Sequence, residues 1–105
     1  MAISSLCLEA KLKHSETVIG FSKYLATYWA HDNIRVNILT PGGIESGQNE
    51  TFKKNYSSRV PLGRMGMANE LHGALLFLAS DAASYVTGQN IIVDGHHVGF
   101  AQKKK

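Results

Sequence analysis

The chain has 105 residues, room for one domain and too little for two. Hydrophobic residues make up 44% and charged residues 18%, which excludes a disordered chain of the charge-rich kind. The net charge of +3 resides in Lys103, Lys104 and Lys105; the rest of the chain is balanced, so no basic face points to nucleic acid.

Cys7 is the single cysteine, so no internal disulfide framework exists. That fits a reducing compartment, and the expected location is the cytoplasm. Residues 1–7 are apolar but too short for a signal segment. No apolar run reaches the length of a membrane span.

Residues 1–12 show no usable periodicity. Val18, Phe21, Leu25 and Tyr28, with Ile19 and Trp29, recur at helical spacing and predict a helix over 15–31. Ser15 suits its N-cap, Glu16 favours the first turn, and Asp32-Asn33 suits the stop. Ile34, Val36 and Ile38 then alternate with Arg35 and Asn37, which predicts a strand over 34–39 with one face firmly buried. Pro41-Gly42-Gly43 stops it, since Pro lacks a ladder donor and Gly permits a sharp turn.

Residues 45–59 are polar, with Phe52 and Tyr56 four apart, and suggest a short amphipathic helix in a mobile connection. A turn follows at 60–64. Residues 70–80 predict a second strong helix with Leu71, Leu75, Leu76, Leu78 and Ala79 on its buried side. Ser80-Asp81 can cap one further turn through Ala82, Ala83 and Tyr85. Thr87-Gly88-Gln89 leads into a short strand at 90–94, closed by Gly95.

The order is helix, strand, loop helix, helix, strand. This is an α/β pattern, with a parallel strand pair joined by a right-handed crossover. Parallel strands need both faces covered, so the pattern looks like the edge of a larger sheet. Residues 1–14 form a divergent N-terminal segment, 15–95 the patterned portion, and 96–105 a divergent basic tail.

Ile34-Arg35-Val36-Asn37 running into Pro41-Gly42-Gly43-Ile44 resembles the strand and Pro-Gly loop of classical short-chain dehydrogenase/reductases. Pro61-Leu62-Gly63-Arg64, Glu70, Phe77-Leu78-Ala79-Ser80-Asp81, Tyr85-Val86-Thr87-Gly88 and Val93-Asp94-Gly95 resemble the rest of that family's C-terminal half, in order and spacing. Lys23 to Trp29, with Gly47-Gln48-Asn49, looks closer to members from bacterial surface-sugar pathways. The resemblance implies the C-terminal portion of a Rossmann-type, doubly wound fold. It also implies NAD or NADP as cofactor and interconversion of an alcohol and a ketone. In that family a Gly-rich turn holds the pyrophosphate at a helix N-terminus. A Tyr with a Lys four residues later carries the proton chemistry.

Three departures matter. No G-x-x-x-G-x-G turn occurs anywhere. Counting back from Val18, the family's Tyr falls at Lys11 and its Lys at Ser15; Lys13 is nearby, with Glu9 four residues before it. The ending Gly95-His96-His97-Val98-Gly99 differs from the usual Asp-Gly-Gly. The expectation is a truncated chain with no catalytic residue of its own and no turnover alone.

Pro41, Gly42, Gly43 and Ile44 are the candidate cofactor-binding residues. The resemblance implies that this loop passes the nicotinamide, with backbone groups near Ile44 meeting its carboxamide, and Gly allows close backbone approach. The alternative is a plain strand-ending turn. Gln48, Asn49 and Tyr56 would lie on a substrate-covering loop, either as specificity residues or as solvated polar ones. Tyr24, Tyr28 and Tyr85 read as packing aromatics. His96-His97 beside Asp94 invites a metal, but adjacent side chains diverge in an extended chain, so no metal site is expected. Family oligomers use the surfaces matching 15–31 and 70–94. The alternative to catalysis is therefore an assembly module, associating with itself or a full-length family subunit, or a decayed remnant.

Overall fold

The computed structural model describes residues 4–9 and 15–100. In chain order these form β1 (Ser4–Glu9), α1 (Ser15–Tyr28), β2 (Ile34–Pro41), α2 (Glu50–Ser57), α3 (His72–Ala79) and β3 (Asn90–Val93). Short 3-10 turns lie at Ala30–Asp32, Ala68–Leu71 and Asp81–Ala83. The strands make one parallel sheet in the order β1-β2-β3. Ser4 pairs with Ile34 and Glu9 with Leu39 on one side of β2; on the other, Ile38 pairs with Asn90 and Pro41 with Val93.

The expected parallel pair is β2 with β3. The third strand, β1, falls where the residues carry no periodic signal. Ser4-Ser5-Leu6-Cys7-Leu8-Glu9 contains no β-branched residue, so its propensity is weak; the open edge of β2 is what makes it a strand. Helix α1 ends at Tyr28 rather than at residue 31, and a single 3-10 turn carries the chain to Asn33. That residue takes the left-handed conformation, φ 59°, as its place after a helix suggested.

The face of α1 that meets the sheet is not the aromatic one. Ser22 and Ala26 are buried, with Val18, Ile19 and Trp29 half-buried beside them, while Phe21 and Tyr28 are 58% and 63% exposed. Small residues at i and i+4 let the helix backbone approach the strand closely, and rings at those positions would hold it away. Helix α3 differs in a similar way. Of the expected buried set Leu71, Leu75, Leu76, Leu78 and Ala79, only Leu78 is fully buried; Leu71 is half-buried and Leu76 is 68% exposed. The helix is apolar all round, so hydrophobicity could not say which flank touches the sheet.

Strand β2 is the centre of the core. Every residue from Arg35 to Leu39 is buried, so both faces are covered, not one. The buried polar pair explains how. Arg35 donates through Nη2 to the carbonyls of Leu78 (2.9 Å) and Ser80 (3.2 Å), and through Nη1 to that of Val86 (3.2 Å). Asn37 donates to the Val86 carbonyl at 2.9 Å and accepts the Gln89 N–H at 3.1 Å. The guanidinium thus satisfies carbonyls that the end of α3 leaves open, where the helix carries partial negative charge.

The end of α3 lies on the Arg35 and Asn37 face of β2. The alternation of a strand puts Val36 and Ile38 on the opposite face, where α1 packs. The strands advance in one direction while the two crossover helices lie on opposite faces.

Replacing Arg35 by Met should cost about 2–4 kcal/mol, since it removes three charge-assisted bonds and leaves buried carbonyls unpaired. Arg35→Lys should recover only part, because an ammonium cannot span the three acceptors. Urea unfolding followed by circular dichroism checks this; a midpoint unchanged in Arg35→Met would refute it.

Candidate functional site

In an open parallel sheet, ligands bind outside the carboxyl ends of the strands. Here those ends are Pro41 of β2 and Val93 of β3, and the loop that leaves β2 is Pro41-Gly42-Gly43-Ile44. Its backbone is tied on three sides. The Gly42 N–H donates to the Val93 carbonyl at 2.9 Å. The Gly43 carbonyl accepts the Gly66 N–H at 2.9 Å, and the Gly66 carbonyl accepts the Glu45 N–H at 2.8 Å. The Gly43 N–H donates to the Tyr56 hydroxyl at 2.5 Å. The Ile44 carbonyl accepts the Gln48 side-chain amide at 3.1 Å.

Neither glycine could carry a side chain. A Cβ on Gly42 would fall 2.5 Å from Asp94 Cβ, and one on Gly43 would run into the Tyr56 ring. Glycine is needed here because other chain segments already touch this backbone. Of the loop's donors, Pro41 has none, and those of Gly42 and Gly43 are spent. Among the described residues, no group accepts the Ile44 N–H.

Two cavities flank the loop. The first, about 120 Å³, has Gly43, Ile44, Arg64, Glu70 and Asp94 in its lining. The second, about 270 Å³, is lined by Pro41, Gly42, Gly43, Tyr56 and His97 among others. All four candidate loop residues thus lie on cavity walls.

The covering loop behaves differently from the specificity reading. Asn49 caps α2, accepting the Phe52 N–H at 2.8 Å. Gln48 braces Ile44 and also accepts the Ser46 N–H at 2.7 Å. Both side chains are spent on the protein's own backbone. Lys53 fastens α2 to the loop through Glu45, 2.7 Å away. Tyr56 is central: its hydroxyl holds Gly43, and its ring lies between Phe52 (6.1 Å) and His97 (4.9 Å).

His97 is the site residue that sequence reasoning missed as a packing partner, having weighed it only as a metal ligand. It arrives because the segment after β3 folds back. The Val98 N–H donates to the Arg59 carbonyl at 3.0 Å, and the Leu62 N–H to that of Gly95 at 3.4 Å. No sequence spacing encodes that return. Among the described residues, no three His, Cys, Asp or Glu side chains gather as a metal set. Lys11, Lys13 and the terminal Lys103, Lys104 and Lys105 lie outside the described residues.

The charged pair on the smaller cavity is internally satisfied. Arg64 grips Glu70 with both nitrogens, at 2.6 and 2.8 Å, and Glu70 also accepts the Met67 N–H at 3.0 Å. The Arg64 hydrogen bonds, then the Met67 N–H, hold the Glu70 carboxyl at about 2, below its ordinary 4.5. Arg64 is therefore engaged rather than presented to a ligand.

A family model described as enoyl-(acyl carrier protein) reductase matches residues 12–96. The chain is 48% identical over 82 residues to the 3-oxoacyl-[acyl-carrier-protein] reductase FabG of Chlamydia trachomatis, covering 74% of this chain and 33% of that protein. It is 51% identical over 77 residues to a tropinone reductase homolog of Arabidopsis thaliana, covering 68% of this chain and 28% of the relative. Among solved structures, a short-chain dehydrogenase of Leptospira borgpetersenii with bound NAD+ superposes with a TM-score of 0.74 at 48% identity. That match covers 77% of this chain and 32% of the other. The chain thus spans about a third of the length of these relatives. The narrower likeness to surface-sugar members finds no support in these names.

The Glu70 carboxylate is held in its charged form, so its contribution to stability is fully present above about 4.5 and is lost as pH falls toward 2. Glu70→Gln should flatten the acid limb of the stability profile in that window. The pair is exposed, so the effect should shrink in high salt. Thermal unfolding of both proteins at low and high salt from pH 2 to 6 measures it.

Proposed function

This chain belongs to the short-chain dehydrogenase/reductase family, and on that premise we propose that its Pro41-Gly42-Gly43-Ile44 loop is the nicotinamide-facing strip of an NAD- or NADP-dependent oxidoreductase. The observation that carries this reading is the Ile44 N–H, which lacks an acceptor among the described residues beside a cavity of about 120 Å³. A carboxamide oxygen is a fitting acceptor for it. The bound NAD+ of the Leptospira relative supports the same reading.

The dinucleotide would supply or accept the hydride when an alcohol and a ketone interconvert. What these residues contribute is placement. Gly42 and Gly43 keep the loop free of side chains, Ile44 offers a fixed donor, and the ties to Val93 and Gly66 keep that donor from wandering. The 105 residues contain neither a Gly-rich phosphate turn nor a Tyr-x-x-x-Lys pair. Diphosphate binding and proton transfer therefore need groups beyond them, and this chain by itself contributes binding without turnover.

The probe should be nicotinamide mononucleotide, with adenosine monophosphate as control, titrated into isotopically labelled protein. The Ile44 amide resonance should move with the first and stay put with the second. Movement with neither would remove the reading, as would movement confined to residues far from the loop. Purified chain mixed with NADH and a panel of ketones should show no loss of NADH absorbance.

A second reading is favoured by the aromatic face of α1. Phe21, Tyr24 and Tyr28 are all exposed, and Tyr24 stacks on Tyr28 at 5.9 Å. An apolar stripe of this kind is suited to burial against another surface, either a second copy of this chain or a full-length family subunit. Light scattering after size exclusion should show association that weakens in a Phe21→Ser, Tyr28→Ser double variant; a clean monomer at all concentrations would dismiss it. No helix among the described residues is long and apolar enough to cross a membrane, and a cytoplasmic site of action fits the single Cys7.

A further inference from the structure

The 41–44 loop is held by backbone bonds and, from the side of α2, by the Tyr56 hydroxyl. Gly43 lies just past the end of β2, and glycine by itself fixes no backbone angle. Something else must set it. The Gly66 bridge holds the Gly43 carbonyl and with it the Gly43–Ile44 peptide. On the amide side the partner among the described residues is the Tyr56 hydroxyl at 2.5 Å, which holds the Gly42–Gly43 peptide.

The Tyr56 ring closes the space where a Cβ at 43 would sit. The phenol is itself clamped by Phe52 on its own helix and by His97 from the segment after β3. Helix α2, which carries Tyr56, is anchored at one end by the Asn49 cap and at the loop by the Lys53–Glu45 pair. Helix α2 and the segment after β3 thus converge on the Gly42–Gly43 peptide, the one before the peptide that carries the Ile44 donor.

We propose that Tyr56, braced by His97, is the positioning residue of the loop: its hydroxyl fixes the Gly42–Gly43 peptide, so that together with the Gly66 bridge it sets the angles of Gly43 and aims the Ile44 N–H at the cavity. Tyr56 touches no ligand in this scheme and acts only through Gly43. The ligand part rests on the cofactor reading above; the positioning part is testable without any ligand.

Tyr56→Phe removes the hydroxyl and keeps the ring. Amide hydrogen exchange in the full chain should then speed up about tenfold at Gly43, with the Gly43 amide proton moving upfield as its short hydrogen bond is lost. The Gly42 amide, bonded to Val93, should keep its wild-type rate within about twofold. His97→Ala should give a weaker change of the same pattern, and His97→Phe, which keeps a ring against the phenol, should restore the wild-type values. Nicotinamide mononucleotide should bind Tyr56→Phe several-fold more weakly than wild type, by about the factor that one lost hydrogen bond implies.

Unchanged exchange at Gly43 in Tyr56→Phe would overturn the proposal. Faster exchange at Gly42 and Gly43 alike would overturn it too, since it would mean general loosening. A change at Gly43 only, in protein that binds no nucleotide at all, would uphold the positioning role and discard the cofactor reading instead.

Discussion

A strand covered on both faces must find partners for the polar side chains it buries, and β2 buries two. Arg35 and Asn37 sit in the middle of the sheet with no acidic partner among the described residues; Asn37 Nδ2 and both Nη nitrogens of Arg35 donate to main-chain carbonyls, and Arg35 Nε alone finds no acceptor among those residues. A buried cation without a carboxylate is tolerable only where oriented dipoles stand in for one. The open carbonyls at the end of α3 and in the connection behind it do so. This arrangement welds β2 to the segment 78–89 and thereby sets where β3 begins. Thr87 and Gly88 add to the weld through the two sides of Val36, at 3.1 and 2.7 Å.

With β2 and β3 held in register, their carboxyl ends present a fixed platform. The loop from Pro41 to Ile44 leaves that platform, and the neighbouring segments close around it: α2 from one side, the 60–66 turn from another, the 94–98 return from a third. Nearly every polar group there is spent on holding the loop in shape. Gln48, Asn49, Lys53, Tyr56, Arg64 and Glu70 all pair within the protein. Among the described residues the Ile44 N–H is left without an acceptor, beside glycine backbone and two modest cavities.

The relatives, more than twice as long, share about a third of their length with the chain at roughly half identity. Among the described residues no strand pairs with the outer edge of β1, α1 turns its rings outward, and α3 exposes Leu75, Leu76 and Phe77. Uncovered apolar helix faces and an open parallel edge are both costly in water.

The sequence by itself determined the α/β order, the start of β2, the parallel pairing of β2 with β3 and the left-handed stop at Asn33. Each of these rests on local rules: period, turn chemistry, or a run of residues with recognisable spacing. Only the tertiary structure decided the rest. It turned the small residues of α1 inward instead of the aromatic ones, because closeness of approach is a property of two elements and not of one. It made a strand of residues whose propensity is weak, because β2 offered an edge. It buried a cation that alternation alone would send to solvent, because carbonyls from forty to fifty residues away gathered around it. It also brought His97 onto Tyr56 and Tyr56 onto Gly43, contacts between segments whose spacing in the chain carries no signal, since a folded loop is closed by whatever the core has already fixed at its ends.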